Sequence, residues 1–158
     1  MQHLFLKEKT KGGDEMQKKR ISIETFIEEL DEHGATEDSD KTEQTAECIF
    51  REEQDGIKLS YSEKNENGTV FCDITVSDGS VIVKRSGDIE SEFVFSEGLL
   101  HTSAYRIPPY SFDAEIFTRK IRNNLTRCGG TLSLIYDLKV GERISRMRMK
   151  IRVDELCS

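Results

Sequence analysis

The chain has no tryptophan and only 2 prolines, and its 4 cysteines are scattered through 158 residues. Each scarcity removes a class of protein. No apolar run approaches the roughly 18 residues of a membrane-spanning helix. Cationic excess is missing too: 23 Lys and Arg stand against 30 Asp and Glu, a net charge of −7. Broad binding to nucleic acid or an anionic membrane needs a positive face, so neither is expected as a partner. Cys48, Cys72, Cys128 and Cys157 form no C-x-x-C pair; a reduced, separately placed set is expected. The start, Met1-Gln-His-Leu-Phe-Leu-Lys, offers three apolar residues before the charges begin. That is too few for the core of a secretory signal, and a cytoplasmic location is expected.

Chemistry-bearing motifs are equally sparse. His3, His33 and His101 stand apart with no metal-ligand partner at useful spacing, so no metal site is expected. There is no G-x-S-x-G elbow, P-loop or G-x-G-x-x-G, and no cofactor or catalytic residue is assigned. Cys128 before Gly129-Gly130 has the look of a nucleophile beside an oxyanion-forming turn, but no partner base is identifiable.

What is present is punctuation. Residues 1–17 read as a flexible leader, with Gly12-Gly13 inside it and Met16 as an alternative start, and residues 18–158 as one domain. Within it, residues 31–45 are acidic and lack aromatic and branched aliphatic residues, which predicts a mobile loop. From Ala46 onward, turn signals recur at Asp55-Gly56, Asn67-Gly68, Asp78-Gly79, Gly87-Asp88, Glu97-Gly98, Pro108-Pro109, Gly129-Gly130 and Gly141. Between them the chain alternates: Ile57, Leu59 and Tyr61 against Lys58, Ser60 and Ser62; Val70, Cys72, Ile74 and Val76 against Asp73, Thr75 and Ser77. Period two with one polar face means strands wetted on one side. A one-sided sheet must bury its apolar face, and no amphipathic helix is available to cover it. Closure disposes of both the face and the edges. The fold class is therefore all-β: a single antiparallel meander barrel of about 8–10 strands. Phe117, Ile121 and Leu125 share a spacing that a short helix would also show, but residues 112–122 are read as strand.

Polar residues then fall on inward parities. Tyr61 and Glu63 continue one face, Arg85 another and Tyr136 a third, while Tyr105 shares parity with His101, and Thr118 follows Ile116. A buried arginine needs a partner, so Arg85 should meet Glu63 or a bound anion. Two readings stay open: a polar cluster that orients a small ligand, or a satisfied internal network that fixes register. Charge is also divided along the chain, with 10 basic and 20 acidic residues in 1–79 and 13 and 10 in 80–158. The stripe Arg146, Arg148, Lys150 and Arg152 reads either as an anion-binding ridge or as cross-strand partners for Glu24 and Glu28.

The runs Leu59-Ser-Tyr61-Ser-Glu63, Arg85-Ser-Gly87, Phe95-x-x-Gly98 and Gly129-Gly-Thr-Leu132-Ser-Leu134-Ile-Tyr136-Asp-Leu138, followed by Gly141 and Ser145, resemble the YwiB family of bacterial proteins. The resemblance covers roughly Arg20 to Val153 and implies a calycin-like, lipocalin-like β-barrel; it implies no activity, and fold alone does not fix function. One departure lies at Tyr105-Arg-Ile-Pro108-Pro-Tyr110, where the family more often has Thr before the proline. The Gly-x-Trp of lipocalins has no counterpart here. The leading expectation is a non-enzymatic small-molecule binder, with Arg85 as anion partner and Tyr61, Glu63, Tyr105, Thr118 and Tyr136 around it. The alternative is a protein-interaction or homodimerisation module using the barrel exterior and its basic last strand. An enzyme using Glu63 or Cys128 is a third, minor reading.

Overall fold

A computed structural model describes residues 16–66 and 68–154, so the leader expected over 1–17 lies outside the described residues except for Met16 and Gln17. Ten strands follow one another: β1 (Met16–Leu30), β2 (Thr36–Glu53), β3 (Gly56–Asn65), β4 (Gly68–Ser77), β5 (Ser80–Gly87), β6 (Ser91–Phe95), β7 (Leu100–Ile107), β8 (Tyr110–Thr126), β9 (Gly129–Val140) and β10 (Arg143–Val153). They form one sheet in the order β6-β5-β4-β3-β2-β1-β10-β9-β8-β7. Every sequence neighbour except β6 and β7 is a hairpin partner, and the first and last strands pair antiparallel from Ile21–Val153 to Leu30–Ile144. The sheet thus curls into the expected all-β barrel, nearly closed. At the remaining seam no ladder joins β6 and β7 among the described residues; an isolated bridge just ahead of β6 links Glu90 to Arg106 of β7, its two backbone hydrogen bonds each 2.9 Å long. Further along, Gly98 N–H donates to the Thr118 carbonyl at 2.8 Å.

Alternation decides what lies inside. Phe50, Leu59, Ile74, Val81, Phe95 and Leu132 are buried on the inner wall, while their neighbours in sequence face water. Full burial of such side chains contributes about 1.5–3 kcal/mol each, which is the main force holding the wall together. In β8 the period is broken once. The pairing with β9 shifts between Thr118 and Lys120, leaving Arg119 as an inserted residue. Ala114, Ile116 and Thr118 point inward before this bulge; Ile121 and Leu125 take the inner parity after it. The helix-like spacing of Phe117, Ile121 and Leu125 thus belongs to a bulged strand, with Phe117 on the outer side under the Arg119 guanidinium, 5.4 Å from its ring.

The loop expected over residues 31–45 is corrected. Only Asp31–Ala35 form a turn, and Thr36 onward is strand, paired with β1 from Met16–Arg51 to Leu30–Thr36. Asp31 closes the turn, its carboxylate accepting from His33 N–H at 2.8 Å and Ala35 N–H at 2.9 Å, with Gly34 at a φ of +82°. Composition misled because the outer half of β2 buries almost nothing; it is held by backbone pairing to a β1 that is itself paired to β10. The cysteines need a second correction. Cys48 and Cys72 are free and buried, but Cys128 is disulfide-bonded. That also removes the nucleophile reading of Cys128. Cys157 lies outside the described residues.

Candidate functional site

Register brings the candidates together. Tyr61 sits opposite Cys72, Cys72 opposite Arg85, and Arg85 opposite Ser91, so four adjacent strands contribute one row of side chains to the inner wall. Glu63, two residues beyond Tyr61, shares that face. Its Oε1 accepts from the Cys72 thiol at 3.3 Å and lies 3.9 Å from Arg85 Nε. The second distance is an ion pair, beyond hydrogen-bond range. Among the described residues no hydrogen bond engages the Arg85 guanidinium, and its side chain retains 25% exposure. Across the interior, Tyr136 is buried with its ring 4.6 Å from Phe95, and the half-buried Tyr105 packs 6.2 Å from Phe93. The row of polar groups therefore lies beside an aromatic floor.

The protonation states follow from burial and neighbours. Burial, together with Cys72, pushes the Tyr61 hydroxyl far above its ordinary range. Burial pushes Tyr136 up to about 12, although Arg85 pulls the other way. Burial also raises the Cys72 thiol to about 11 against the pull of Arg85. For Arg85 burial disfavours the charge, but Cys72, Tyr61, Glu63 and Tyr136 outweigh it and the guanidinium is held above its usual value. At neutral pH the site therefore offers neutral hydroxyls, a protonated thiol and a fixed cation. Neither the thiol nor the two tyrosine hydroxyls is activated as a nucleophile there, and the cation is paired with Glu63.

Of the residues expected from sequence, Tyr61, Glu63 and Arg85 are brought together, Tyr136 stands close enough to couple electrostatically to Arg85, and Tyr105 couples to Tyr136. Thr118 is inward and fully buried opposite Tyr136, but its hydroxyl has no hydrogen-bond partner among the described residues. Sequence reasoning missed Cys72, Ser91 and the phenylalanines. Alternation places Cys72 inward among apolar residues, and nothing in the sequence marks its thiol as a donor to Glu63. Lys19, on the same parity as Ile21, was missed as well. Its ammonium is buried, 5.1 Å from the Phe50 ring centre.

A cleft of about 380 Å³ opens at the seam, with Arg85, Ser91, Ser103 and Arg106 among its walls. His101 lies near the same seam, its Nε2 3.3 Å from the Glu92 carbonyl oxygen, and no group of metal-ligating side chains occurs among the described residues. Two of the four basic residues of the β10 stripe are engaged. Arg146 donates to Asp137 at 2.9 Å and Arg148 lies 3.7 Å from Glu28. Glu24 faces Lys150 in register but bonds to Lys41, 3.2 Å away.

Residues 14–151 match the model of a domain of unknown function, DUF1934. The chain belongs to the DUF1934 family. An uncharacterised β-barrel protein, YwiB of Bacillus subtilis, is 30% identical over 89 residues, 56% of this chain and 63% of the relative. The chain thus spans less than two thirds of the length of the curated relative it matches. The crystal structure of the YwiB protein from Bacillus subtilis superimposes with a TM-score of 0.75, at 23% identity, covering 90% of this chain and 96% of that one. The all-β barrel and the YwiB-like resemblance are both borne out by these matches.

Proposed function

We propose that this protein is a non-enzymatic binding protein for a small amphipathic anion, taken into a calycin-like barrel at the Tyr61–Glu63–Arg85 row. One observation carries the reading: the inward-facing Arg85, its side chain three-quarters buried and at ion-pair distance from Glu63, makes no hydrogen bond among the described residues. Desolvating such a group costs several kcal/mol unless its donors are used. A carboxylate or phosphate oxygen beside Arg85 would use them, with Tyr61 and Tyr136 as neutral donors and Phe93 and Tyr105 against the apolar part. The seam cleft supplies a route. The cytoplasm is the proposed location on the free thiols of Cys48 and Cys72. The disulfide at Cys128 weighs the other way, and cell fractionation decides.

The test is native mass spectrometry of gently purified protein, followed by a thermal-shift screen of amphipathic carboxylates and phosphates. A retained mass or a hit is expected, with Arg85→Gln weakening the hit at least about tenfold through loss of a charge-assisted bond. A screen without hits, or equal binding by Arg85→Gln, overturns the reading.

A further inference from the structure

The outer wall of β8, β9 and β10 repeats one arrangement with one part changed. At Asp137, on β9, a carboxylate stands between an arginine of each neighbouring strand. Arg146 of β10 donates to it from Nε at 2.9 Å, and Arg119 of β8 donates at 2.7 and 2.9 Å. Further along β9, Ser133 lies opposite Lys150 of β10 on one side and Arg122 of β8 on the other. Between these two rows Ile135 lies opposite Arg148 and Lys120 in the same way. Two more rows of cations thus flank β9, with a serine or an isoleucine where Asp137 has its carboxylate.

The charge on this face can be followed strand by strand. On the Arg152 side of Asp137, residues 119–126, 129–136 and 146–153 include no aspartate or glutamate. Carboxylates at the borders are engaged: Glu24, in register with Lys150, bonds to Lys41 at 3.2 Å; Glu28 lies 3.7 Å from Arg148; Glu97 accepts from the Ile121 N–H at 2.8 Å. Lys120, Arg122, Lys150 and Arg152 are exposed and have no ion pair among the described residues. Neighbouring strands stand about 4.8 Å apart, so the two cations of a row start about 9–10 Å apart, and successive rows are about 6–7 Å apart. Thr131, Ser133 and Ile135 are short and half-buried. They floor a shallow trough with long cationic side chains along both sides.

We infer that this trough is a docking surface for an extended acidic segment of another protein. The segment lays one carboxylate at the Ser133 row and the next at the Ile135 row, each held between a β10 cation and a β8 cation as Asp137 is. Asp or Glu at every second residue meets this spacing, because alternate side chains of an extended chain also repeat at about 6–7 Å. Nucleic acid fits the face less well. The outward residues of these rows include no aromatic ring to stack a base, and a net charge of −7 opposes a long polyanion. The surface lies outside the barrel and needs nothing from Arg85, so it stands independently of the interior ligand.

The test uses the full chain and a fluorescent ten-residue peptide alternating Glu and Thr, read by anisotropy. Saturable binding is expected. Lys150→Gln combined with Arg122→Gln should weaken it about tenfold. Lys64→Gln combined with Lys84→Gln makes the same change in net charge at exposed residues of β3 and β5, and should leave binding unchanged. Ser133→Asp puts the chain's own carboxylate into the row and should block the peptide, whereas its neutral counterpart Ser133→Asn should still bind. A peptide with every Glu at one end has the same charge without the spacing, and should bind more weakly. Equal losses in the two double variants mean bulk charge attraction and overturn the proposal. So does undiminished binding by Ser133→Asp, or equal binding of the two peptides. A ten-nucleotide single strand that binds more tightly than the peptide at the same salt, or sedimentation showing that the chain covers this face with its own copy, overturns the choice of partner.

Discussion

The two halves of β2 are one strand under two regimes. Toward its C-terminal end Cys48 and Phe50 are each 1% exposed, packed among Leu59 and the rest of the inner wall. From Thr36 to Glu43 every residue is exposed. The inner half exists because burial of its apolar face is favourable. The outer half exists because β1 offers a complete row of backbone partners and is itself fixed by β10 on its other side. Strand formation therefore does not require a buried face when a neighbouring strand is already immobilised by others. Such a half-strand contributes little to stability, and its second edge is left available.

Four measurements break or sharpen this contrast. The largest effect belongs to the inner half: Phe50→Ala should lower unfolding stability by about 3–5 kcal/mol, read from urea titration, because it removes a buried ring and its contacts. A loss below about 1 kcal/mol would mean that the two halves do not differ as described. Thiol chemistry gives the next effect. Burial raises the Cys48 thiol to about 11, so in the native protein it should alkylate at least about a hundredfold more slowly than a cysteine placed by Thr42→Cys in the outer half. Equal rates would show that β2 opens as a unit.

A third case lies on the outer face, where charge is held by geometry. Asp137, 17% exposed, accepts from Arg119 at 2.7 and 2.9 Å and from Arg146 at 2.9 Å. Burial works to raise its pKa, but the bonds from Arg119 and Arg146 outweigh it and hold the carboxyl below its ordinary value. A carboxyl depressed in the folded state adds stability above its unfolded pKa of about 3.9, and that stability is lost as pH falls through the folded value. Asp137→Asn should therefore cost about 1 kcal/mol near neutral pH, with the deficit disappearing in acid. A deficit that grows as pH falls would reverse the sign and the explanation. The smallest effect is at Lys41, whose ammonium lies 3.2 Å from Glu24 and 3.3 Å from Glu43 in full solvent. Lys41→Gln should leave the unfolding midpoint unchanged within error, with faster amide exchange confined to residues 36–45. A measurable midpoint shift would show that the outer half supports the barrel after all.

Much of this was legible from period and punctuation. Alternation identifies the inner parity of Ile57, Leu59, Tyr61, Val81, Val83 and Leu132, and it sets Glu63 and Arg85 on inward faces. It failed where local composition and pairing disagree. Residues 36–45 have no apolar period to read, because their strand is imposed by β1. Arg119 interrupts the parity of β8, and an inserted residue has no signature in alternation until its pairing is known. Cys72 was placed on the correct wall but given the wrong chemistry, since a thiol becomes a useful donor only when a carboxylate stands beside it.

The sequence by itself determined the class of fold, because a two-residue period repeated between tight-turn signals leaves a chain without amphipathic helices little choice but a closed sheet. Tertiary structure alone decided which strands meet around the cylinder, that Arg85 stands 3.9 Å from Glu63 and unbonded, and that β2 and β3 part company after Ser60. Register between strands far apart in the chain is set by the summed packing of both faces. No single segment contains that information.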